Sequence, residues 1–326
     1  MFLSSSDTLP SLRAARDEQD ASGLSALAEQ LAGVLSGGAQ DVDVSSRRRA
    51  EYSTDASIYR VLPQAVVFPR TEEDVLGILG VARRMHVPVT MRGAGTSIAG
   101  NAVGEGIVVD TSRHFADILS IDPDERVAVV RPGVTIAQLQ AAAAPFGLRF
   151  GPDPSTWTRC TIGGAIGNNA CGPHALAYGK SGQQVVSLDV VDGRGRRFTA
   201  AEGLTEHPEL RELVAGNLAI IRTQFGRFGR QVSGYALEGL LPERGEKLGE
   251  FLSGTEGTLG IILSATVRLQ PIPSSPHLVV LGYPSMPDAA DDVPSLLPFH
   301  PLALEGMDAR LVDVVRRHRG AAAVPE

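Results

Sequence analysis

The placement of glycine constrains this sequence more than any other feature. Ten of its 36 glycines gather in three runs of small residues, each beside a segment with strand character. The first run is Arg92-Gly93-Ala94-Gly95-Thr96-Ser97-Ile98-Ala99-Gly100-Asn101, after the strand-like Val87 to Met91. The second runs from Cys160 through Thr161-Ile162-Gly163-Gly164-Ala165-Ile166-Gly167-Asn168-Asn169 to Gly172, with Pro152-Asp153-Pro154-Ser155 before it. The third is Ser253-Gly254-Thr255-Glu256-Gly257-Thr258-Leu259-Gly260, which feeds directly into Ile261-Ile262. Residues this small let backbone approach closely, either to other backbone or to a bound ligand.

Each run supports a ligand reading and a plainer one. In the first, Gly93-x-Gly95 after a strand invites a dinucleotide-binding fold of the Rossmann type. That fingerprint needs a third glycine at position 98 and a helix immediately afterwards. Position 98 is isoleucine, and the next regular segment is the strand-like Ile107 to Asp110, so a nicotinamide dinucleotide enzyme is disfavoured. What remains is a concave run of N–H groups flanked by the Thr96 and Ser97 hydroxyls, suited to a pyrophosphate, or else an ordinary glycine turn. In the second run a flat ligand could lie against bare backbone, with Asn168 and Asn169 offering amide groups to a heterocycle edge. A tight glycine-packed turn is the alternative. In the third, a buried Glu256 would need backbone or ring N–H partners, whereas an exposed one would be a surface acid. One cofactor cleft explains three such loops more simply than three separate accidents.

The intervening segments read as mixed helix and strand. Leu24, Leu27, Leu31 and Val34 fall at helical spacing before Gly37-Gly38. Ser45 to Ser57, with Arg47, Arg48 and Arg49, reads as a solvated loop. Val66 to Phe68 is a short strand, and Thr71-Glu72-Glu73-Asp74 is a capping box for a helix ending near Met85-His86. Ile118 to Ile121, Val127 to Val130, Val185 to Val191 and Ile261 to Leu269 read as strands. Thr135 to Ala144, Pro208 to Phe225 and part of Glu243 to Leu252 read as helices. Thr161 to Gly182 reads as loop. Beyond Pro271 and Pro273, Leu278 to Tyr283 begins a new unit, and Leu304, Met307, Leu311 and Val314 suggest a last amphipathic helix.

Composition removes several function classes. The net charge of −7 argues against a nucleic-acid partner. No apolar run reaches the length of a transmembrane span, and Met1 to Gln19 lacks the features of a secretory signal. Cytoplasmic residence is the default, with peripheral membrane association through an electron-acceptor partner as an option. Cys160 and Cys171, the two cysteines, suffice for neither a disulfide framework nor a zinc site. The spacing of His277, His300 and His318 matches no metal motif. Lys180 and Lys247 are the only lysines, and a GC-rich genome accounts for that bias.

The three loops, together with Tyr52-Ser53-Thr54-Asp55-Ala56-Ser57, Val66-Val67-Phe68-Pro69, Pro132-Gly133-Val134 and Tyr178-Gly179-Lys180, resemble the p-cresol methylhydroxylase (PCMH)-type, vanillyl-alcohol oxidase-like flavoproteins. The similarity is greatest to the branch of D-lactate, glycolate and D-2-hydroxyglutarate dehydrogenases, and it covers roughly Tyr52 to Pro273. It implies an α+β fold of two subdomains, about 57–122 and 125–269, with FAD between them. Residues 1–51 would be a tail and helix, and residues 274–326 the incomplete start of a C-terminal cap domain.

The resemblance implies that Gly93, Ala94, Gly95, Thr96 and Ser97, next to Arg92, bind the pyrophosphate. Pro154, Thr161, Gly163, Gly164, Asn168, Asn169 and Gly172 would line the ribityl and isoalloxazine path, and Glu256, Gly260 and Ile261 would face the flavin. Thr96 stands where some relatives tether flavin through histidine, which implies non-covalent FAD. Cys160 lies near a thioether position of another branch, but at a different spacing. The implied reaction oxidises a 2-hydroxy acid to the 2-oxo acid and passes electrons to a quinone, cytochrome or iron–sulfur module. The catalytic base and carboxylate clamp would lie in the cap, so no catalytic residue is assigned; His174, Tyr178 and Lys180 are the reactive side chains nearest the second loop. A stand-alone flavin module serving a separate subunit is the alternative.

Overall fold

Two sheets divide the strand segments between them. The computed structural model describes residues 22–229, 231–232 and 234–323, so the tail expected over Met1 to Ala21 lies outside the described residues. The first sheet contains β1 (Val42–Asp43), β2 (Ala65–Val67), β3 (Val89–Arg92) and β4 (Ile107–Asp110), in the order β1-β2-β4-β3. β2 and β3 both run parallel to β4, and β1 is antiparallel to β2. β2 and β3 flank β4 and run in the same direction, so the chain must cross over between them, which it does through the helix Glu72–Met85. β2 and β4 are buried along their whole length, which is why each reads as an unbroken apolar run.

Local signals placed that helix. Thr71 Oγ1 accepts from the Asp74 N–H at 3.1 Å, and Asp74 Oδ2 accepts from the Thr71 N–H at 3.2 Å, which completes the expected capping box. His86 stops the helix in a left-handed conformation with φ 55°. A helix over residues 22–32 adds the fully buried Leu27 and Leu31 to the same core.

The second sheet contains β5 (Ile118–Asp122), β6 (Val127–Val130), β7 (Leu148–Phe150), β8 (Val185–Val191), β9 (Arg197–Ala200) and β10 (Ile261–Pro271). Its order is β5-β6-β10-β8-β9, with β7 also on β10, and every pairing is antiparallel. The chain enters the second sheet at β5, and β1 joins the first. The sheets therefore divide the residues differently from the expected subdomain limits of 57–122 and 125–269.

The two sheets meet through the helix Glu72–Met85. Its Val75 and Leu79 pack on Val191, Ile261 and Leu263 of β8 and β10. Beside them Glu72 accepts hydrogen bonds from both Arg131 and Arg197, and Arg131 also donates to the Leu263 carbonyl at 3.1 Å.

Several local expectations are corrected. The run at Arg47 is a helix, Ser46–Glu51, because Ser45 caps it by accepting from the Arg48 N–H at 3.3 Å. Pro208 to Phe225 divides at Asn217 into helices Pro208–Gly216 and Leu218–Gln224. Met286–Leu296 is an unforeseen helix capped by Ser285, and the last helix begins only at Ala309, after its own cap Asp308. Leu278 to Tyr283 forms neither helix nor strand, and Leu278, Val279 and Val280 are strongly exposed. The largest correction is in the second glycine run, where Ile162–Asn168 is helical and not loop; beyond it Ala175–Tyr178 is helical as well.

Burial works against the charge of Asp74, but hydrogen bonds from the Arg70, Ser36 and Thr71 N–H groups and the Ser36 hydroxyl outweigh it. They hold the carboxyl below its ordinary value. A depressed folded value means the stabilisation is present above the unfolded value, about pH 4, and is lost as pH falls through the folded one. Asp74→Asn should cost about 1–2 kcal/mol near neutral pH. Urea melts from pH 7 to 3 should show that the difference from the unsubstituted chain shrinks in acid.

Candidate functional site

The three glycine runs converge on one cleft that is open to solvent. The first sheet contributes Arg92 and Gly93, the second run Gly163, Gly164 and Gly167, and the third Glu256, Gly257, Gly260 and Ile261.

The second run is organised as a helix that both neighbours hold. Thr161 caps Ile162–Asn168 by accepting from the Gly164 N–H at 3.1 Å. The Ile162 N–H donates to the Val134 carbonyl and the Gly163 N–H to Pro132, which ties the helix start to the segment after β6. At the other end the last carbonyls of a helix have no partner within it. Here the third loop supplies them: the Gly254 N–H donates to Ile166 at 2.9 Å, and the Glu256 N–H to Gly167 at 3.0 Å. Asn168 Nδ2 then donates to Glu256 Oε1 at 2.7 Å.

The glycines lining the cleft fall into two groups. A Cβ on Gly93 would stand 2.2 Å from Thr161 Oγ1, one on Gly163 2.5 Å from Pro132 Cβ, and one on Gly260 2.6 Å from Val190 Cγ1. These three let the cleft walls close on one another. By contrast, a Cβ on Gly167 or Gly257 would meet no protein atom within 4 Å. Gly257 has φ +76°, so its backbone already favours glycine. Gly167 lies in a helix, where glycine is about 1 kcal/mol worse than alanine. Neither backbone conformation nor packing requires glycine there, and what it leaves is a bare strip of helix facing the cleft. That is a cradle into which a flat, close-lying group such as a flavin fits.

The remaining sequence candidates have other surroundings. Ala94, Gly95, Thr96 and Ser97 are not among the lining residues, and Ser97 Oγ accepts from the Ala99 and Asn101 N–H groups within its own loop. Arg92 lines the cleft, but it donates to the Ala102 and Thr54 carbonyls at 3.0 and 2.9 Å, with its guanidinium 4.9 Å from the Tyr52 ring centroid. It braces the first loop with those bonds. Tyr52 in turn donates to Asp110 at 2.6 Å, and burial together with that carboxylate pushes its hydroxyl up. Thr161 lies under the cleft as the helix cap. Asn168 reaches the site through Glu256. Asn169 is buried, and its Oδ1 accepts from the Gly182 N–H at 2.9 Å. Pro154 and Gly172 do not line the cleft; a Cβ on Gly172 would strike the Asp153 carbonyl at 2.3 Å.

Glu256 is exposed, and its backbone has φ 53°. Cys160 is buried in the core of the second sheet, and burial pushes its thiol up. Away from the lining, His174 Nδ1 meets Asp153 at 2.5 Å, and the imidazole stacks on Tyr178. Lys180 is buried and donates to the Gln231 carbonyl at 2.9 Å. Sequence reasoning passed over Asn101, Gly167 and Gly257 as site residues; all three lie in or beside the glycine runs, and only the assembled cleft singles them out.

The FAD binding domain family matches residues 63–201, a span that holds the first two glycine runs. Over those residues the chain carries an FAD-binding domain of this family. It is 36% identical over 283 residues to D-2-hydroxyglutarate dehydrogenase of Pseudomonas putida, covering 81% of this chain and 28% of that protein. It is 34% identical to D-lactate dehydrogenase of Archaeoglobus fulgidus, over 82% of this chain and 54% of the relative. It is 32% identical to the glycolate oxidase subunit GlcD of Bacillus subtilis, over 83% and 51%. The chain thus spans between about a quarter and a half of these relatives' lengths. In fold it is similar to alkyldihydroxyacetonephosphate synthase, with TM-score 0.54 and 20% identity over 72% of this chain and 39% of that one. The fold is therefore the α+β PCMH-type arrangement, and the cofactor of the family is FAD. Among the described residues no helix is long and apolar enough to cross a membrane.

Gly93→Ala would drive the Thr161 hydroxyl off the Gly164 N–H. Loss of that cap together with the overpacking should cost about 1–3 kcal/mol. The denaturation midpoint should fall, and Thr161→Ser should not restore it, because the clashing oxygen remains.

Proposed function

We propose that this chain holds FAD non-covalently for the oxidation of a 2-hydroxy acid, such as D-2-hydroxyglutarate, D-lactate or glycolate, to the 2-oxo acid. Gly167 carries the reading: it is a helical glycine on the cleft lining, where a Cβ would meet no protein atom and would project into the cleft. The chemistry that FAD supplies is two-electron oxidation and reduction. The residues of this chain provide shape and polarity: bare backbone at Gly163, Gly164 and Gly167 on one wall, and Gly257, Gly260 and Ile261 on the other. The braced loop beginning at Arg92 and Gly93 closes the first-sheet side.

Non-covalent binding is supported by threonine at position 96 and by the burial of Cys160 away from the cleft lining. The donors of Arg92 that face the protein are engaged by carbonyls, so the substrate carboxylate is better clamped by groups outside this cleft. A second reading, a flavin module that serves a separate subunit, is favoured by the exposed apolar run at Leu278, Val279 and Val280, which another polypeptide surface would cover.

Reconstitution with FAD should give a stoichiometric flavin spectrum that is lost on acid precipitation, as non-covalent binding requires. Gly167→Leu should weaken FAD at least tenfold by fluorescence titration without lowering the urea midpoint. Gly167→Ala should raise stability by about 0.5–1 kcal/mol. Unchanged FAD affinity in Gly167→Leu would remove the basis of the reading. For the substrate class, anaerobic bleaching of the flavin band by at least one of the three acids is expected in the full gene product. An oxidised spectrum that persists with all three would sink that part.

A further inference from the structure

The cleft is shared between the two sheets. Arg92, Gly93 and Asn101 reach it from the first, and Pro132, Gly163 and Ile261 from the second. A ligand that touches both walls is sensitive to their spacing, because walls not already set at the right distance must be brought there at a cost in affinity. What fixes the spacing lies directly behind the cleft. Val75 and Leu79 of the crossover helix pack on Val191, Ile261 and Leu263, but apolar contact is non-directional. The directional link is Glu72, the first residue of that helix. Its Oε1 accepts from Arg131, which follows β6, and its Oε2 from Arg197, which opens β9.

One carboxylate thus joins the first sheet's helix to two separate points of the second sheet. Glu72 and Arg131 are each 20% exposed, so salt screens their attraction only in part. Arg131 is itself held by its bond to the Leu263 carbonyl at 3.1 Å and by Phe115, whose ring centroid lies 4.7 Å from the guanidinium. The next residue, Pro132, lines the cleft, and its carbonyl accepts from the Gly163 N–H at 2.9 Å. Two hydrogen bonds and one peptide bond therefore connect Glu72 to the bare backbone of the second run. Resting on the FAD reading above, we infer that Glu72 is a positioning residue: its clamp on Arg131 and Arg197 sets the spacing of the cleft walls, and hence the affinity for FAD, without touching FAD. The place requires a carboxylate. Both arginines present only donors, and a carboxylate offers each an acceptor oxygen. An amide would satisfy one and turn its own NH2 toward the other.

Fluorescence titration of FAD, paired with a urea midpoint for every variant, tests this. Glu72→Gln should raise the Kd for FAD at least fivefold. Arg197→Gln should act in the same direction, and the double variant should bind no more weakly than Glu72→Gln alone, since both remove the same arm. Arg197→Lys, which keeps the charge, should bind within twofold of the unsubstituted chain. Asp74→Asn is the control for stability alone. It weakens the start of the same helix, but its partners Ser36, Arg70 and Thr71 all lie on the first-sheet side, so its Kd should stay within twofold. Should Glu72→Gln fail to fold, Arg197→Gln at the more exposed end of the clamp serves for the same comparison. A Kd in these variants no higher than that of Asp74→Asn overturns the inference and leaves the FAD reading standing. So does an Arg197→Lys chain that binds as weakly as Arg197→Gln, because the charge would then be irrelevant. An unsubstituted chain that takes up no FAD overturns the FAD reading, and this inference with it.

Discussion

Strand β10 is the constraint on which most of the molecule depends. It pairs with β6, β7 and β8, so three otherwise separate segments become one sheet only by hydrogen-bonding to it. Its first residues, Ile261 and Leu263, also receive Val75 and Leu79 from the crossover helix of the first sheet. The same strand therefore sets the position of one sheet against the other. The third glycine loop leads directly into it, so the backbone at Glu256, Gly257 and Gly260 is delivered to the cleft by the most heavily braced strand. Catalytic and binding geometry gains from such support, because sites mounted on rigid elements keep their shape when empty.

The cleft itself is a product of satisfied backbone. The helix Ile162–Asn168 is short and contains three glycines, and by propensity alone it would not persist. It is held from both ends: Thr161 and the Pro132 and Val134 carbonyls at its start, and the N–H groups of Gly254 and Glu256 at its finish. The second and third loops are thus one hydrogen-bonded unit. The first loop reaches that unit through the close approach of Gly93 to Thr161, while Arg92 ties its flanks to Thr54 and Ala102. The glycines serve two ends here. Some allow protein to touch protein, and Gly167 and Gly257 leave space that protein does not fill.

That division bears on what the FAD-binding domain can do in this chain. The cleft contains acceptors, bare backbone and a braced arginine, which suit cofactor holding. It offers no dyad of acid and base at its lining, and the oriented His174–Asp153 pair lies among other residues.

Much of the architecture was legible because its signals are local. The box at Thr71 and Asp74, the stop at His86, the alanine-rich helix after Thr135, and the apolar runs of β2, β4, β8 and β10 each act within a few residues. Glycine clustering pointed to three loops, and the absence of a third glycine at Ile98 argued against the Rossmann alternative. The helical state of Ile162–Asn168 could not be read locally, since its glycines argue against a helix and its stabilising partners lie about 30 residues before it and 90 after it. Nor could sequence separate Asn168, which reaches Glu256, from Asn169, which faces inward onto Gly182. Adjacent residues with the same side chain have the same local chemistry, and only the direction imposed by the helix end tells them apart. The sequence by itself determined the elements whose signals are local, such as the Thr71-capped helix and strands β2, β4, β8 and β10, and where glycine clusters. The tertiary structure decided which bare backbone faces protein and which faces the cleft, because that depends on long-range contacts through β10 that no local pattern encodes.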